Sequence, residues 1–202
     1  MPDVQDPARL LPAPSRYVFS SVEGHKFCRS VLQELLPFDP HDYQLEGICK
    51  ALDGSDVFAI AACGDGKTGY YYMFILMVLY ITNNPVIEHP GVCFPRDPVI
   101  VIVCPTNGIE EQMAAKLKDY GLQTLAINSK TLHEASKHGE NLWITARSRI
   151  SMLMLSPEQL SNKGFKSLLD YEPFWRRVVA LGVDEPHLLL TWGKSFHKSF
   201  VQ

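Results

Sequence analysis

The sequence has few of the features that would place the protein in an oxidising compartment or in a membrane. Its five cysteines include no CxxC pair, which argues against a zinc site and against a disulfide framework. Residues 1–20 are rich in proline and have no apolar core of the signal-peptide type. The most apolar run, Tyr70 to Ile81, is too short to span a bilayer. We therefore expect a soluble, intracellular protein with no membrane partner.

An excess of basic charge is also missing. The formal net charge is -3 and the isoelectric point is about 6.1, whereas a protein that binds nucleic acid by bulk charge is usually basic. Any contact with nucleic acid must therefore be local. The length of 202 residues, with 46% hydrophobic residues, suits one globular domain. We expect a loose leader at 1–22 and a single domain at 23–202.

Strand and helix patterns alternate along the domain. Apolar runs typical of buried parallel strands occur at 57–61, 99–104, 124–127, 150–155 and 178–183. Helical patterns occupy 23–36, 41–52, 68–81 and 109–120, and Pro157 is typical of the first residue of another helix. The alternation predicts an α/β fold with a doubly wound, mostly parallel sheet flanked by helices. Such sheets bind ligands at the carboxyl ends of their strands.

A phosphate-loop pattern follows the first predicted strand, with alanine in place of the first glycine. Its remaining residues are Cys63, Gly64, Asp65, Gly66, Lys67 and Thr68. In this pattern backbone N–H groups and a helix N-terminus surround phosphate oxygens. Lys67 suits the β- and γ-phosphates, and the Thr68 hydroxyl suits Mg²⁺. Asp65 would repel a triphosphate unless its side chain points to solvent.

Two adjacent acids, Asp184 and Glu185, follow the last predicted strand. Opposite a phosphate loop, Asp184 suits Mg²⁺ coordination, usually through water, and Glu185 suits orientation or deprotonation of an attacking water. Two acids after a strand are otherwise ordinary loop residues, so the phosphate loop is what favours a functional interpretation.

Two other features have a functional and a structural interpretation each. Gln44 could recognise adenine, because an amide donates to N7 and accepts from the N6 amino group, or it could be a helix-surface residue. Trp192, Phe196 and Phe200 recur every four residues, and Lys194 lies among them. These aromatics could pack on the core or stack on single-stranded bases.

Taken in order, these segments resemble superfamily 2 helicases, and most closely the RecQ family. DEPH at 184–187 is similar to the DEAH box, and LLLTWGKSF resembles the aromatic-rich loop CISQWGHDF. CGDGKT is similar to TGGGKS, VIVCPTNGIEEQM to VVSPLISLMKDQ, and MLMLSPEQL to LLYIAPERL. The resemblance runs from about residue 38 to residue 200.

The resemblance implies a RecA-like P-loop NTPase domain and ATP-driven 3′-to-5′ unwinding of DNA. It implies ATP and Mg²⁺ as cofactors, with Lys67, Asp184 and Glu185 as catalytic residues. It places Pro105 and Thr106 in a segment that contacts the DNA backbone, although a plain strand-to-helix turn is an equal alternative. It places Trp192, Lys194 and Phe196 in a loop that couples DNA contact to hydrolysis. A nuclear location would follow in a eukaryote.

Helicases of this class hydrolyse ATP between two RecA-like domains, and the sequence contains the pattern of one. We expect ATP binding with weak or no turnover by this chain alone, the second helicase domain being supplied in trans. The alternative is a truncated, non-catalytic nucleotide- or nucleic-acid-binding module that regulates a full-length helicase. Asp65 and Pro186 favour that alternative, whereas Gly66, Lys67 and the acid pair favour the enzyme. An unrelated P-loop kinase or GTPase would not account for Trp192 followed by glycine.

Overall fold

The structure, a computed structural model, describes residues 18–60, 66–84, 87, 93–104, 113, 117–148 and 150–185. The helices within these ranges are α1 (Val22–Leu35), α2 (Asp42–Leu52), α3 (Gly69–Asn83), α4 (Ser129–Lys137), α5 (Leu142–Thr145), α6 (Lys163–Leu169) and α7 (Glu172–Trp175). A 3₁₀ helix covers Pro157–Ser161. The strands are β1 (Val99–Val103), β2 (Thr124–Ile127), β3 (Met152–Leu155) and β4 (Val178–Val183).

The four strands form one parallel sheet in the order β2-β3-β1-β4. Every residue of β1 and β3 is buried, as expected for central strands covered on both faces. The alternation of side chains along β1 divides the core in two, with Ile100 and Ile102 on one face and Val99 and Val101 on the other. The sequence prediction of an α/β fold with a parallel sheet and flanking helices is confirmed.

The first face of the sheet is covered by α1, α2 and α3, which pack on one another. Helix α3 is apolar on nearly every side, and Tyr72, Met73 and Phe74 are all buried. A helix that is apolar all round is stable where it is covered on several sides, which is the position α3 has between the sheet and its two neighbours. The second face is covered by residues that include Phe165, Leu168 and Phe174.

Asparagine caps account for three of the shorter helices, which the sequence patterns did not predict. Asn128, Asn141 and Asn162 each accept a hydrogen bond from a backbone N–H in the first turn of α4, α5 and α6. These caps satisfy N–H groups that have no partner inside the helix. In the predicted 109–120 helix, the described residues Met113 and Leu117 are helical and buried.

The predicted strand at 57–61 is wrong for its described residues. Residues 55–60 have no strand hydrogen bonding, and the side chains of Phe58 and Ile60 are 77% and 88% exposed. An apolar run becomes a buried strand only where another strand lies beside it, and in the described residues β4 forms the end of the sheet. For these residues the lack of a neighbouring strand in the described part of the chain outweighs the β-propensity of the apolar run. The other predicted strands are confirmed within two residues of their bounds.

Candidate active site

The site lies where the start of α3 meets the carboxyl end of β4. Gly66 has a φ of 72°, in the left-handed region that glycine adopts without strain. Tight backbone hydrogen bonds then begin α3, with the Gly69 N–H donating to the Gly66 carbonyl at 2.7 Å. On the opposite side, the Asp184 N–H donates to the Val103 carbonyl at 2.9 Å, so β4 stays paired with β1 up to the first acid.

An ion pair joins these two segments. The Lys67 ammonium Nζ donates to Glu185 Oε1 at 2.7 Å, and the two side chains are 27% and 29% exposed. The structure therefore brings together the predicted phosphate lysine and the predicted water-orienting acid, which are far apart in the sequence. Glu185 has a φ of 48°, in the left-handed region that is strained for a residue with a side chain.

Asp184 is partly withdrawn from water beside this pair. Burial raises the pKa of its carboxyl, the charge of Glu185 raises the pKa further, and the charge of Lys67 opposes both effects. The ionised carboxylate of Asp184 is therefore less stable here than it would be in water. A cation beside it would stabilise the ionised form.

Tyr71 is a neighbour of the acids that sequence reasoning missed. Its ring packs against Gly182 of β4, where a Cβ atom would lie 2.4 Å from Tyr71 Cε1. Burial and then the charge of Asp184 raise the pKa of Tyr71, so its hydroxyl stays protonated. The sequence offered no signal, because Tyr71 lies within a continuous apolar run whose other members pack in the core.

Gln44 is 4% exposed and reaches the end of the phosphate loop from α2. Its side-chain amide donates to the Gly66 carbonyl at 2.8 Å, and its Oε1 accepts from the His41 N–H at 3.1 Å. The alternative of a helix-surface glutamine is wrong, because the side chain is buried. An amide has two N–H groups and two lone pairs, so these contacts leave one donor and one acceptor for a ligand.

Several predicted site residues lie outside the described residues. They are Cys63, Gly64 and Asp65 of the phosphate loop, and Pro105, Thr106, Trp192, Lys194 and Phe196 of the predicted nucleic-acid contacts. Thr68 is described and is half-buried at the N-cap of α3. The described residues contain no cluster of three or more His, Cys, Asp or Glu side chains that could hold a metal. None of the described helices is long and apolar enough to cross a membrane.

Several known proteins have sequences similar to this chain. The RecQ ATP-dependent DNA helicase of Haemophilus influenzae is 24% identical over 159 residues, which is 79% of this chain and 22% of the relative. The ATP-dependent DNA helicase Q1 of Pongo abelii is 25% identical over 158 residues, 78% of this chain and 22% of the relative. The ATP-dependent RNA helicase DDX42 of Homo sapiens is 35% identical over 82 residues, 41% of this chain and 8% of the relative.

The chain thus spans about a fifth of the length of the RecQ and Q1 relatives. Residues 41–201 match the DEAD/DEAH box helicase family, and this range contains Gln44, Lys67 and the acid pair. Together with the parallel sheet and the contact between Lys67 and Glu185, the match shows that this chain belongs to the DEAD/DEAH box helicase family.

Proposed function

We propose that this helicase domain binds ATP with Mg²⁺ between the start of α3 and the end of β4, and that it contacts single-stranded DNA. The observation that carries the proposal is the Lys67–Glu185 ion pair, 2.7 Å between Nζ and Oε1. It joins the lysine that we propose binds phosphate to the acid that we propose activates water, at the carboxyl edge of the sheet. This is the edge at which parallel α/β sheets bind ligands.

Each residue at that point has a task that suits its chemistry. The Lys67 ammonium would leave Glu185 and pair with the β- and γ-phosphates, which carry more negative charge. Glu185, once released, is a carboxylate able to orient or deprotonate water. In the absence of nucleotide, the ion pair would keep both groups at the site and neutralise their charges.

The residues present also fit a magnesium ion. Mg²⁺ in nucleotide sites is commonly held by one or two carboxylates together with substrate phosphates, so a cluster of three protein acids is not needed. The Asp184 carboxyl and the Thr68 hydroxyl are oxygen ligands of this kind, and the raised pKa of Asp184 reflects a charge that a cation would stabilise. When bound, Mg²⁺ would neutralise charge on the phosphates.

Gln44 would recognise adenine with the amide N–H and lone pair that its contacts to Gly66 and His41 leave over. Because the same amide holds the Gly66 carbonyl, base recognition and the shape of the phosphate loop would be linked through one side chain. We propose that adenine nucleotides are preferred over guanine nucleotides for this reason.

The nucleic-acid side of the proposal depends on Pro105, Thr106, Trp192, Lys194 and Phe196. DNA is favoured because two of the similar relatives are named DNA helicases and match nearly four fifths of this chain. RNA is a second candidate, since the human relative named as an RNA helicase has the higher identity over a shorter range. Unwinding, and efficient turnover, would require a second helicase domain, which could act in trans.

The test is binding of a fluorescent ATP analogue with Mg²⁺, followed by phosphate release with and without single-stranded DNA or RNA. The Lys67→Ala variant should lose nucleotide binding. The matched control is Lys50→Ala, which removes an exposed lysine paired with Glu46 on α2. Equal affinity of the wild type and Lys67→Ala would overturn the proposed site. Binding without turnover, unchanged by either nucleic acid, would favour the non-catalytic module.

A further inference from the structure

Tyr71 has a hydroxyl group to which the proposed function gives no task. The side chain is partly buried, and its ring packs on the core beside the sheet. The hydroxyl makes no hydrogen bond to any residue in the described ranges. Because burial and the charge of Asp184 raise its pKa, the hydroxyl keeps its proton and remains an O–H donor. A donor withdrawn from water normally has an acceptor, so the hydroxyl of Tyr71 calls for one.

The position of the ring on β4 indicates which acceptor is near. The ring lies against Gly182, where a Cβ atom would be 2.4 Å from Tyr71 Cε1. Gly182 is in register with Ile102 of β1, which packs in the core of the first face, so Gly182 lies on the face that α3 covers. Side chains alternate along a strand, so Asp184 lies on the same face two residues further on. The ring of Tyr71 therefore takes the place of a side chain beside Asp184.

Tyr71 is also joined to Thr68, the other oxygen ligand proposed for Mg²⁺. The Tyr71 N–H donates to the Thr68 carbonyl at 3.2 Å in the tight first turn of α3. Residues three apart in a helix lie on one face. The side chain of Tyr71 lines the same cavity as Lys67, Asp184 and Glu185. One residue thus connects the start of α3, through its backbone, with the end of β4, through its ring.

The neighbouring groups differ in how well they could accept from this hydroxyl. The charge of Asp184 raises the pKa of Tyr71 more than the charge of Cys104 or of Glu185 does. A cysteine sulfur is a weak acceptor, and Glu185 already accepts from the Lys67 ammonium. The Asp184 carboxylate is therefore the best acceptor among these three groups.

We propose that Tyr71 is a positioning residue of the magnesium site, whose hydroxyl donates to the Asp184 carboxylate directly or through one water. This inference rests on the proposed nucleotide site. Carboxylates that bind metals are commonly held by a hydrogen bond from an outer partner, and loss of that partner lowers metal affinity or activity by about 10–100-fold. The hydrogen bond would also stabilise the ionised form of Asp184, which burial and the charge of Glu185 disfavour.

The first measurement compares nucleotide binding with and without Mg²⁺. A fluorescent ATP analogue is titrated into the wild type and into Tyr71→Phe, once in Mg²⁺ and once in EDTA. Phenylalanine keeps the ring on Gly182 and removes only the hydroxyl. The ratio of the affinity in Mg²⁺ to the affinity in EDTA should fall at least about tenfold in Tyr71→Phe. A change in packing alone would weaken binding equally in both conditions.

The adjacent tyrosine of α3 provides the matched control. Tyr72 is 8% exposed, and its ring stacks on Tyr120, away from the acids. Tyr72→Phe removes the same group from the same helix, and it should leave the ratio of the two affinities unchanged. Thermal melts would verify that both variants are folded.

The second measurement needs no nucleotide. Urea unfolding of the wild type, Tyr71→Phe, Asp184→Asn and the double variant forms a double-mutant cycle. If the hydroxyl donates to Asp184, the unfolding equilibrium constant of the double variant should depart at least about threefold from the value expected for independent changes. The same cycle with Tyr72→Phe should be additive within about twofold.

Three outcomes would overturn the proposal. They are an additive cycle for Tyr71 and Asp184, a Mg²⁺ dependence of binding that Tyr71→Phe retains, and an equal loss of that dependence in Tyr72→Phe. If the wild type binds no nucleotide, the proposed function fails. Coupling in the cycle would then still support the contact between Tyr71 and Asp184, and additivity would overturn it.

Discussion

Replacing Glu185 with glutamine should tighten ATP binding while it abolishes turnover. In the structure Lys67 and Glu185 form an ion pair, and at the proposed site ATP would compete with that acid for the lysine. Glutamine occupies the same volume without the charge. It therefore removes the ion pair with Lys67, and it removes a negative charge that would repel the phosphates. The same substitution removes the group proposed to activate water.

The size of the effect follows from the geometry of the pair. At 2.7 Å the attraction between two unit charges is about 6 kcal/mol for an effective dielectric constant of about 20. Solvation of the separated ions and side-chain entropy cancel most of this, and exposed pairs contribute about 0.2–1 kcal/mol net. Because both side chains are roughly three-quarters withdrawn from water, we take about 0.5–1 kcal/mol. This predicts about two- to fivefold tighter ATP binding.

The assay is equilibrium binding of a fluorescent ATP analogue to the wild type and to Glu185→Gln, with phosphate release measured in parallel. Any turnover should fall by at least about 100-fold, as expected for loss of general-base catalysis. The matched control is Glu172→Gln, which breaks the exposed ion pair with Arg176 on α7. This control should leave the dissociation constant unchanged. Equal or weaker ATP binding by Glu185→Gln, with the fold intact, would refute the competition between Glu185 and ATP.

Three further changes test other parts of the structure. Asp184→Asn should raise the melting temperature by about 1–3 °C at pH 7. The pKa of this acid is raised in the folded state, so the ionised carboxylate destabilises the fold more as the pH rises. In a series of melts, the difference in melting temperature between Asp184→Asn and the wild type should therefore vanish below about pH 4. Gly182→Val should destabilise the protein by about 1–3 kcal/mol in urea unfolding, because the new side chain would collide with the Tyr71 ring. Maleimide should label exposed Cys93 in the native protein well before Cys28, because a hydrogen bond with the Cys49 thiol and then burial raise the pKa of Cys28. Peptide mass spectrometry would detect the difference in labelling.

The parallel sheet could be predicted from the sequence because each buried strand is marked by a local apolar run. The VIVIV run of β1 is apolar at every position, which is the pattern of a strand buried on both faces, and the structure shows it fully buried. The position of the acid pair directly after β4 could be predicted for the same reason. In a parallel sheet the carboxyl ends of all strands lie at one edge, so the edge at which the acid pair lies follows once the sheet is parallel.

The short helices were less accessible, although their caps were present in the sequence. Asn128, Asn141 and Asn162 each begin a helix of nine residues or fewer. Helices this short owe most of their stability to tertiary contacts, so periodicity alone does not distinguish them from loops. In α6 these tertiary contacts are made by Phe165 and Leu168, which are both buried against the second face of the sheet.

By itself the sequence determined the parallel α/β fold and the kinds of residue at the site, because apolar runs, glycines and paired acids express local chemistry. The tertiary structure decided which groups meet. It placed Lys67 on Glu185 and the Gln44 amide on the Gly66 carbonyl, and it left residues 55–60 apart from β4. A strand and an ion pair both require a partner, and that partner lies at a distance along the chain that no local pattern encodes.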